Sequence, residues 1–238
     1  MEKQEKEQIL KKFEEWFLNS LVVSHRKNTE KLSDIKKFNI NPFLLHYLAN
    51  YLEGNSKPSS LAKVLLYPRA LGTSITTSFG SHMQTFVTKV LGAYGSATPG
   101  IDIEFTDFID NRKKYCQLKS GPNAINNDDV NTVKNHFTDI KNLARQNRLN
   151  LEINDLVFCL IYGEPKEKNS FIKKLEEEYT VYIGREFWHR FTGDENFYKE
   201  LILTAEKIAK DINMKSIVDD VIKKLSYQIE NRFKDLLS

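Results

Sequence analysis

Apolar positions recur at steps of three and four over the opening stretch, Glu2–Val23. Ile9, Leu10, Phe13, Phe17 and Leu21 form one stripe, and Lys and Glu fill the other face. This period predicts an amphipathic helix. His25–Ser33 loses the pattern and reads as a linker. Pro42–Leu52 restores it, with Pro42 suited to a first helical turn. Gly54–Ser60 is polar and holds a proline, so it reads as a loop. Tyr67–Gly80 is rich in Ser and Thr. Ser81–Leu91 predicts a further helix, ended by Gly92 and Gly95.

The pattern then changes. Ile101–Ile109, IDIEFTDFI, reads as a strand, Asp110 and Asn111 make a turn, and Lys114–Lys119, KYCQLK, returns. Together they predict a hairpin. The loop Ser120–Asn127 leads into a helix over Asp129–Asn147, whose apolar face is Val130, Val133, Phe137, Ile140, Leu143 and Ala144. Leu156–Tyr162, LVFCLIY, is apolar throughout, as in a strand buried on both faces. A short helix over Ser170–Tyr179 and a strand over Thr180–Ile183 follow. The remainder is helical, ending on Ile217–Leu237 with Val221, Leu225, Ile229, Phe233 and Leu236 as its stripe. This order predicts an α/β fold: a mixed central sheet flanked by helices, with additional N- and C-terminal helices.

Composition narrows the function classes. The 238 residues are 40% apolar and 28% charged, which suits a folded globular chain. A net charge of +3 means that any phosphate-binding surface is a local feature. Cys116 and Cys159 each lie in an apolar run and read as buried free thiols, with no disulfide framework or zinc spacing. The opening residues are charged, and no run approaches the roughly 18 apolar residues of a membrane span. A cytoplasmic protein is expected. The phosphate loop, the dinucleotide fingerprint, HExxH and GxSxG are all missing from the sequence. ATP-driven and NAD-dependent chemistry are therefore disfavoured.

Side chains alternate across a strand. Asp102 and Glu104 share a face of the first hairpin strand, and Tyr115, Gln117 and Lys119 share a face of the second. Pairing the strands brings a carboxylate, an amide oxygen and an ammonium together. Magnesium prefers such oxygen ligands, so Asp102, Gln117 and the Leu118 carbonyl are its candidate ligands. Lys119 would orient or deprotonate an attacking water, or stabilise the transition state of phosphodiester hydrolysis. On spacing alone, an ordinary cross-strand ion pair between Asp102 and Lys119 explains the residues as well.

PGID followed by QLK across a hairpin, within this order of elements, resembles the PD-(D/E)XK nuclease superfamily. The phrases YPRALGTSITTSFG, GIDIEF, YCQLKSGPNAINNDDV and GREFWHRFTGD are similar to type II restriction endonucleases, in the group that includes PmeII. The resemblance covers Tyr67–Tyr198. It implies a single nuclease domain over 1–238 with a catalytic core at 67–198. Segments 1–60 and 199–238 would then serve packing or dimerisation. It also implies sequence-specific cleavage of double-stranded DNA to 5'-phosphate and 3'-hydroxyl ends. Mg2+ would be the cofactor, with Mn2+ as a substitute. A homodimer and a separately encoded methyltransferase would accompany it.

The family's metal-binding aspartate maps to Asp102 and its lysine to Lys119. The acid two residues before the lysine is replaced by Gln117, as in family members that use QxK; the change removes a charge from the metal site, and Glu104 is the candidate to compensate. Where many members carry a glutamate on the preceding helix, this chain has His82 and Gln84, of which Gln84 is the candidate to approach the metal. Candidate DNA contacts are Arg69, Asn123, Lys134, Lys141 and Arg145, with Arg148 on the same helix side. Asn126 and Asn127 are assigned to turn and capping chemistry. Two alternatives stay open: a repair or recombination nuclease of the same fold, and a DNA-binding relative without activity.

Overall fold

β-branched, aromatic and leucine-rich runs form the sheet in the computed structural model, which describes residues 1–212 and 214–232. The strands are β1 (Ile103–Thr106), β2 (Lys113–Lys119), β3 (Leu156–Leu160) and β4 (Thr180–Ile183). They make one sheet in the order β1-β2-β3-β4. β1 pairs antiparallel with β2, while β2–β3 and β3–β4 are parallel. The expected mixed sheet flanked by helices is thus the observed one.

The helices, in chain order, begin with α1 (Lys3–Trp16), α2 (Val23–Lys31), α3 (Pro42–Glu53), α4 (Pro58–Pro68), α5 (Ile75–Ser81) and α6 (Met83–Lys89). After the hairpin come α7 (Asn127–Gln146), α8 (Ser170–Glu176), α9 (Arg185–Thr192), α10 (Phe197–Asp211) and α11 (Met214–Arg232). Phe233 and Leu236 of the expected terminal stripe lie outside the described residues. No described helix is long and apolar enough to cross a membrane.

Contacts gather the chain into two compact units. One joins Met1–Trp16 to His82–Glu206, and the other joins Phe17–Ser81 to the chain from Lys207 onward. The first unit holds the sheet. β3 is buried at every residue because it lies inside the sheet with side chains packed on both faces. On one face Leu156, Phe158 and Leu160 meet Val133, Phe137 and Ile140 of α7 and Ile172 and Leu175 of α8. Each such side chain contributes about 2 kcal/mol by leaving water. On the other face Phe105 of β1 lies edge-on to Phe191 of α9, with ring centres 5.2 Å apart. Trp16 of α1 reaches Phe86 of α6 at 5.1 Å, and Phe86 reaches Trp188 of α9 at 6.3 Å. The N-terminal helix is therefore packed into the unit that carries the sheet. Cys116 and Cys159 are free and buried, as expected.

The second unit is helical. Leu45 and Ala49 of α3, Leu61, Ala62 and Leu66 of α4, and Val221, Leu225 and Ile229 of α11 share its core. Asn41 caps α3 by accepting from the Phe43 and Leu44 amides, and Gly54, at φ 69°, ends it in the left-handed conformation. Gln228 accepts from the Ile35 amide at 3.0 Å and donates to the Ser33 carbonyl at 2.6 Å.

Two expectations need correction. The linker expected at His25–Ser33 is mostly helix: α2 runs to Lys31. Arg, Lys and Glu favour helix on propensity alone, and Arg26 pairs with Glu30 one turn on. Only Thr29 of α2 is buried, so its apolar period is too weak to read. The strand expected over Ile101–Ile109 shortens to β1. Asp107 ends it by turning the chain, accepting from the Ile109 amide on its carboxylate and from the Asn111 amide on its carbonyl.

At the hairpin end a lysine is buried outright. Lys114 Nζ meets Asp110 at 2.6 Å, the Asn154 carbonyl at 3.0 Å and Asp155 at 3.5 Å. Arg112 donates to both oxygens of Asp155. Burial pushes the Asp155 carboxyl up, but Arg112, the Glu152 amide and Lys114 outweigh it, so the group lies below the usual aspartate range. Its contribution to stability is therefore complete above the unfolded value of about 3.9 and is lost as pH falls through the lower folded value. Asp155→Asn removes the anion shared by buried Lys114 and part-exposed Arg112, which keep Asp110 and Glu152 as partners. It is expected to cost about 2 kcal/mol at neutral pH and to flatten the acid limb of stability. Urea unfolding between pH 2 and 7 measures both; an unchanged acid limb would contradict this account.

Candidate active site

Gly100 sets the entry to the site. Its φ is 80°, and a Cβ there would stand 2.4 Å from the His136 ring. Only glycine permits both the backbone turn and the close approach of that ring. The turn delivers Asp102 just ahead of β1. The Asp102 amide donates to the Cys116 carbonyl at 3.0 Å. The Asp102 carboxylate then accepts from the Leu118 amide at 2.7 Å. A side-chain oxygen thus continues the ladder where β1 has already ended.

Amide and carbonyl of one strand residue point to the same side. The Leu118 carbonyl therefore lies on the Asp102 side of β2. Gln117 is buried at 8% exposure and projects toward α7. Its Nε2 donates to the Gly100 carbonyl and to His136 Nδ1, the latter at 2.6 Å. A carbonyl only accepts, so the amide group nearest Gly100 is the NH2, and Oε1 is the end left to face elsewhere. His136 Nδ1 accepts in this arrangement, which places the ring proton on Nε2. At the end of β2, Lys119 Nζ lies 2.8 Å from Asp129 Oδ1.

Asp129 is the third residue of α7, where its other oxygen accepts from the Asn126 amide at 2.9 Å. Asn126 returns the bond to the Asp129 amide, completing a capping box. Asn126 is thus the cap that its sequence position suggested. His136 lies seven residues beyond Asp129, two turns along the same helix face. α7 therefore supplies two polar groups to the site, both missed by sequence reading. The seven-residue spacing was the available signal.

Electrostatics mark Asp102. Burial pushes its carboxyl up, and the Leu118 amide, Lys119 and His136 only partly offset this, so it stays above the usual aspartate range. For Asp129 burial also pushes up, but Lys119 and the Asn126 amide outweigh it and the group is lowered. The site thus holds one well-compensated carboxylate and one under-compensated one.

Other candidates fall elsewhere. Glu104 accepts from Ser96 and Thr98 and pairs with Lys113 at 2.6 Å, so its carboxylate is already engaged. Lys134 pairs with Glu178, and Lys141 reaches the Tyr179 hydroxyl at 3.2 Å and lies over its ring. Asn123 and Arg145 are exposed. Arg69 is exposed on the other compact unit. His82 begins the turn into α6. The side chain of Gln84 lies outside the described residues.

The donors gathered here are oxygens: Asp102, the Gln117 amide and the Leu118 carbonyl. No group of three or more His, Cys, Asp or Glu side chains forms among the described residues. The set suits a hard cation that takes one carboxylate, keeps waters and shares the oxygens of a bound phosphate. It lacks the nitrogen and sulfur ligands that predominate in zinc sites.

Gly100→Ala is expected to destabilise the protein by about 1–3 kcal/mol through positive φ and the His136 clash. Adding His136→Ala should recover the clash but not the backbone strain. Thermal unfolding of the two single variants and the double one reads this directly; purely additive losses would show that the ring does not press on the turn.

The family model of the Type II restriction endonuclease EcoO109I matches residues 11–213. That span takes in the whole sheet, α7 and the Asp102–Lys119 hairpin. No curated protein matches the chain. The family match covers most of the sequence, and on that ground the chain belongs to the Type II restriction endonuclease EcoO109I family.

Proposed function

We propose that this chain is a PD-(D/E)XK-type endonuclease. It would cut double-stranded DNA at specific sites in a magnesium-dependent reaction, leaving 5'-phosphate and 3'-hydroxyl ends. The observation that carries the reading is the convergence of Asp102, Gln117 and Lys119 at the end of one hairpin, within a restriction endonuclease family. The phrases around these residues relate it, within that reading, to the group that includes PmeII.

Mg2+ would be held by Asp102, Gln117 Oε1 and the Leu118 carbonyl, where it supplies Lewis-acid neutralisation of charge on the scissile phosphate. The protein's own residues do the positioning. The Leu118 amide fixes the Asp102 carboxylate, and His136 with the Gly100 carbonyl fixes the Gln117 amide. Asp129 holds the Lys119 ammonium at the mouth of the site, where it orients the attacking water or meets the charge of the transition state. Lys119 is 37% exposed, within reach of an incoming phosphate. Asn123, on the loop leaving β2, and Arg145 on α7 are exposed candidates for DNA contact. Lys134 and Lys141 would have to exchange Glu178 and Tyr179 for phosphate, and Arg69 would act from the second unit. We further propose a cytoplasmic homodimer in which each protomer cuts one strand, matched to a separately encoded methyltransferase.

Unmethylated phage DNA incubated with the full chain in Mg2+ is expected to give discrete fragments, with none in EDTA. Lys119→Ala is expected to lose at least about 100-fold in rate while keeping its fold and its DNA binding. Cutting only at branched DNA would move the function to repair or recombination. DNA binding without cutting, in Mg2+ or Mn2+, would leave an inactive relative.

A further inference from the structure

α3 is apolar on two sides. Leu45 and Ala49 enter the core of the second unit. The other side carries Phe43, Leu44, Tyr47, Leu48, Tyr51 and Leu52, with Phe43 exposed at 86%, Tyr47 at 63% and Tyr51 at 80%. At about 100° per residue these six fill one continuous half of the helix surface, and no charged residue lies among them. Tyr47 and Tyr51 already stack on each other, ring centres 6.2 Å apart. A helix that is apolar nearly all round is a buried helix. The exposed side chains amount to roughly 700 Å2, above the patch a monomer ordinarily leaves in water and close to the roughly 800 Å2 per partner of a stable interface.

The order of the residues says what covers the face. The six positions are symmetric about the midpoint between Tyr47 and Leu48. Two copies of α3 lying antiparallel across a two-fold axis at that midpoint would face Phe43 to Leu52, Leu44 to Tyr51 and Tyr47 to Leu48. Every level then sets an aromatic ring against a leucine. A two-fold contact requires this self-complementarity, because each residue meets the same partner type in both directions. The absence of charge also removes the like-charge repulsion that self-pairing otherwise brings.

We infer that the Phe43–Leu52 face of α3 is a self-association surface, occupied by α3 of a second copy of this chain in antiparallel register. The inference rests on the homodimer proposed above for its occupant, and adds the surface and the register. α3 lies within the segment 1–60 expected to serve packing or dimerisation, and that expectation named neither the face nor the register.

Light scattering and sedimentation of the full chain, without DNA, test it. The wild type is expected to be a dimer at micromolar concentration. Leu48→Lys, with unchanged circular dichroism, should raise the dimer dissociation constant on the order of 100-fold. Leu149→Lys, an exposed apolar position on the other unit, should leave it unchanged. Register is read by oxidative cross-linking. Phe43→Cys and Leu52→Cys proteins should cross-link when mixed, and neither should do so alone. The mixing experiment also decides the case if Leu48→Lys fails to fold. A dimer that survives Leu48→Lys, or that cross-links through Phe43→Cys alone, overturns the surface or its register while the dimer stands. A monomeric wild type overturns the inference, including a monomer in which Tyr51→Cys is shielded from thiol reagents by another part of the chain. Each result holds whether or not the protein cuts DNA, so failure here is separable from failure of the nuclease reading.

Discussion

The hydrogen bond from the Leu118 amide to the Asp102 carboxylate ties the charge of the site to the geometry of the sheet. β1 is short, so the edge of β2 would be open beyond Cys116 on that side. Asp102 fills the gap with a side-chain oxygen rather than a backbone one. The arrangement is stable only if β2 itself does not shift. Its other edge is locked in parallel register to β3 from Tyr115 through Lys119, and β3 is buried at every residue. A one-residue slip of β2 would turn Gln117 and Lys119 to the opposite face of the sheet and bring Leu118 to theirs. The core thereby fixes the positions of Gln117, Leu118 and Lys119, and Asp102 is held against them.

α7 is the second fixed body. Val133, Phe137 and Ile140 anchor it to the sheet, and its capping box fixes where it begins. Asp129 and His136 project from the side that faces β2 and reach Lys119 and Gln117. The cap and the site share a residue: Asp129 satisfies a main-chain amide with one oxygen and an ammonium with the other. Helix start and lysine position are thus one feature, and a change at Asp129 acts on both.

Much of this was legible in the sequence, and the misses have physical causes. The hairpin, the long α7 and the buried β3 showed through because burial there is large and periodic. α2 did not, because its helix rests on propensity and charge pairing, which leave no apolar stripe. Alternation placed Asp102 and Glu104 on one strand face. In the structure Asp102 stands before the strand, and Glu104 is bound by Lys113, Ser96 and Thr98. Lys134 and Lys141 looked like a phosphate stripe because helix period says which residues share a side, not what that side meets. It meets Glu178 and Tyr179. His136 carries no sequence motif that marks it. Only the fold shows that it closes over Gly100.

The same geometry gives a physical reason for Gln117 where the superfamily pattern has an acid. The group at this position faces two acceptors, the Gly100 carbonyl and His136 Nδ1, in a buried setting. A carboxylate has no proton to give either of them, and would set a second negative charge beside Asp102, whose own carboxyl burial already holds up. An acid there would need to stay protonated, or would need His136 to turn its proton inward. Glutamine supplies the donors directly and keeps an oxygen at its other end. Its amide, the His136 Nδ1 that accepts from it and the cradle of Gly100 therefore form one matched set. Replacing Gln117 or His136 takes a partner from a buried polar group, a cost of about 1–3 kcal/mol that an exposed acid-to-amide change would not carry.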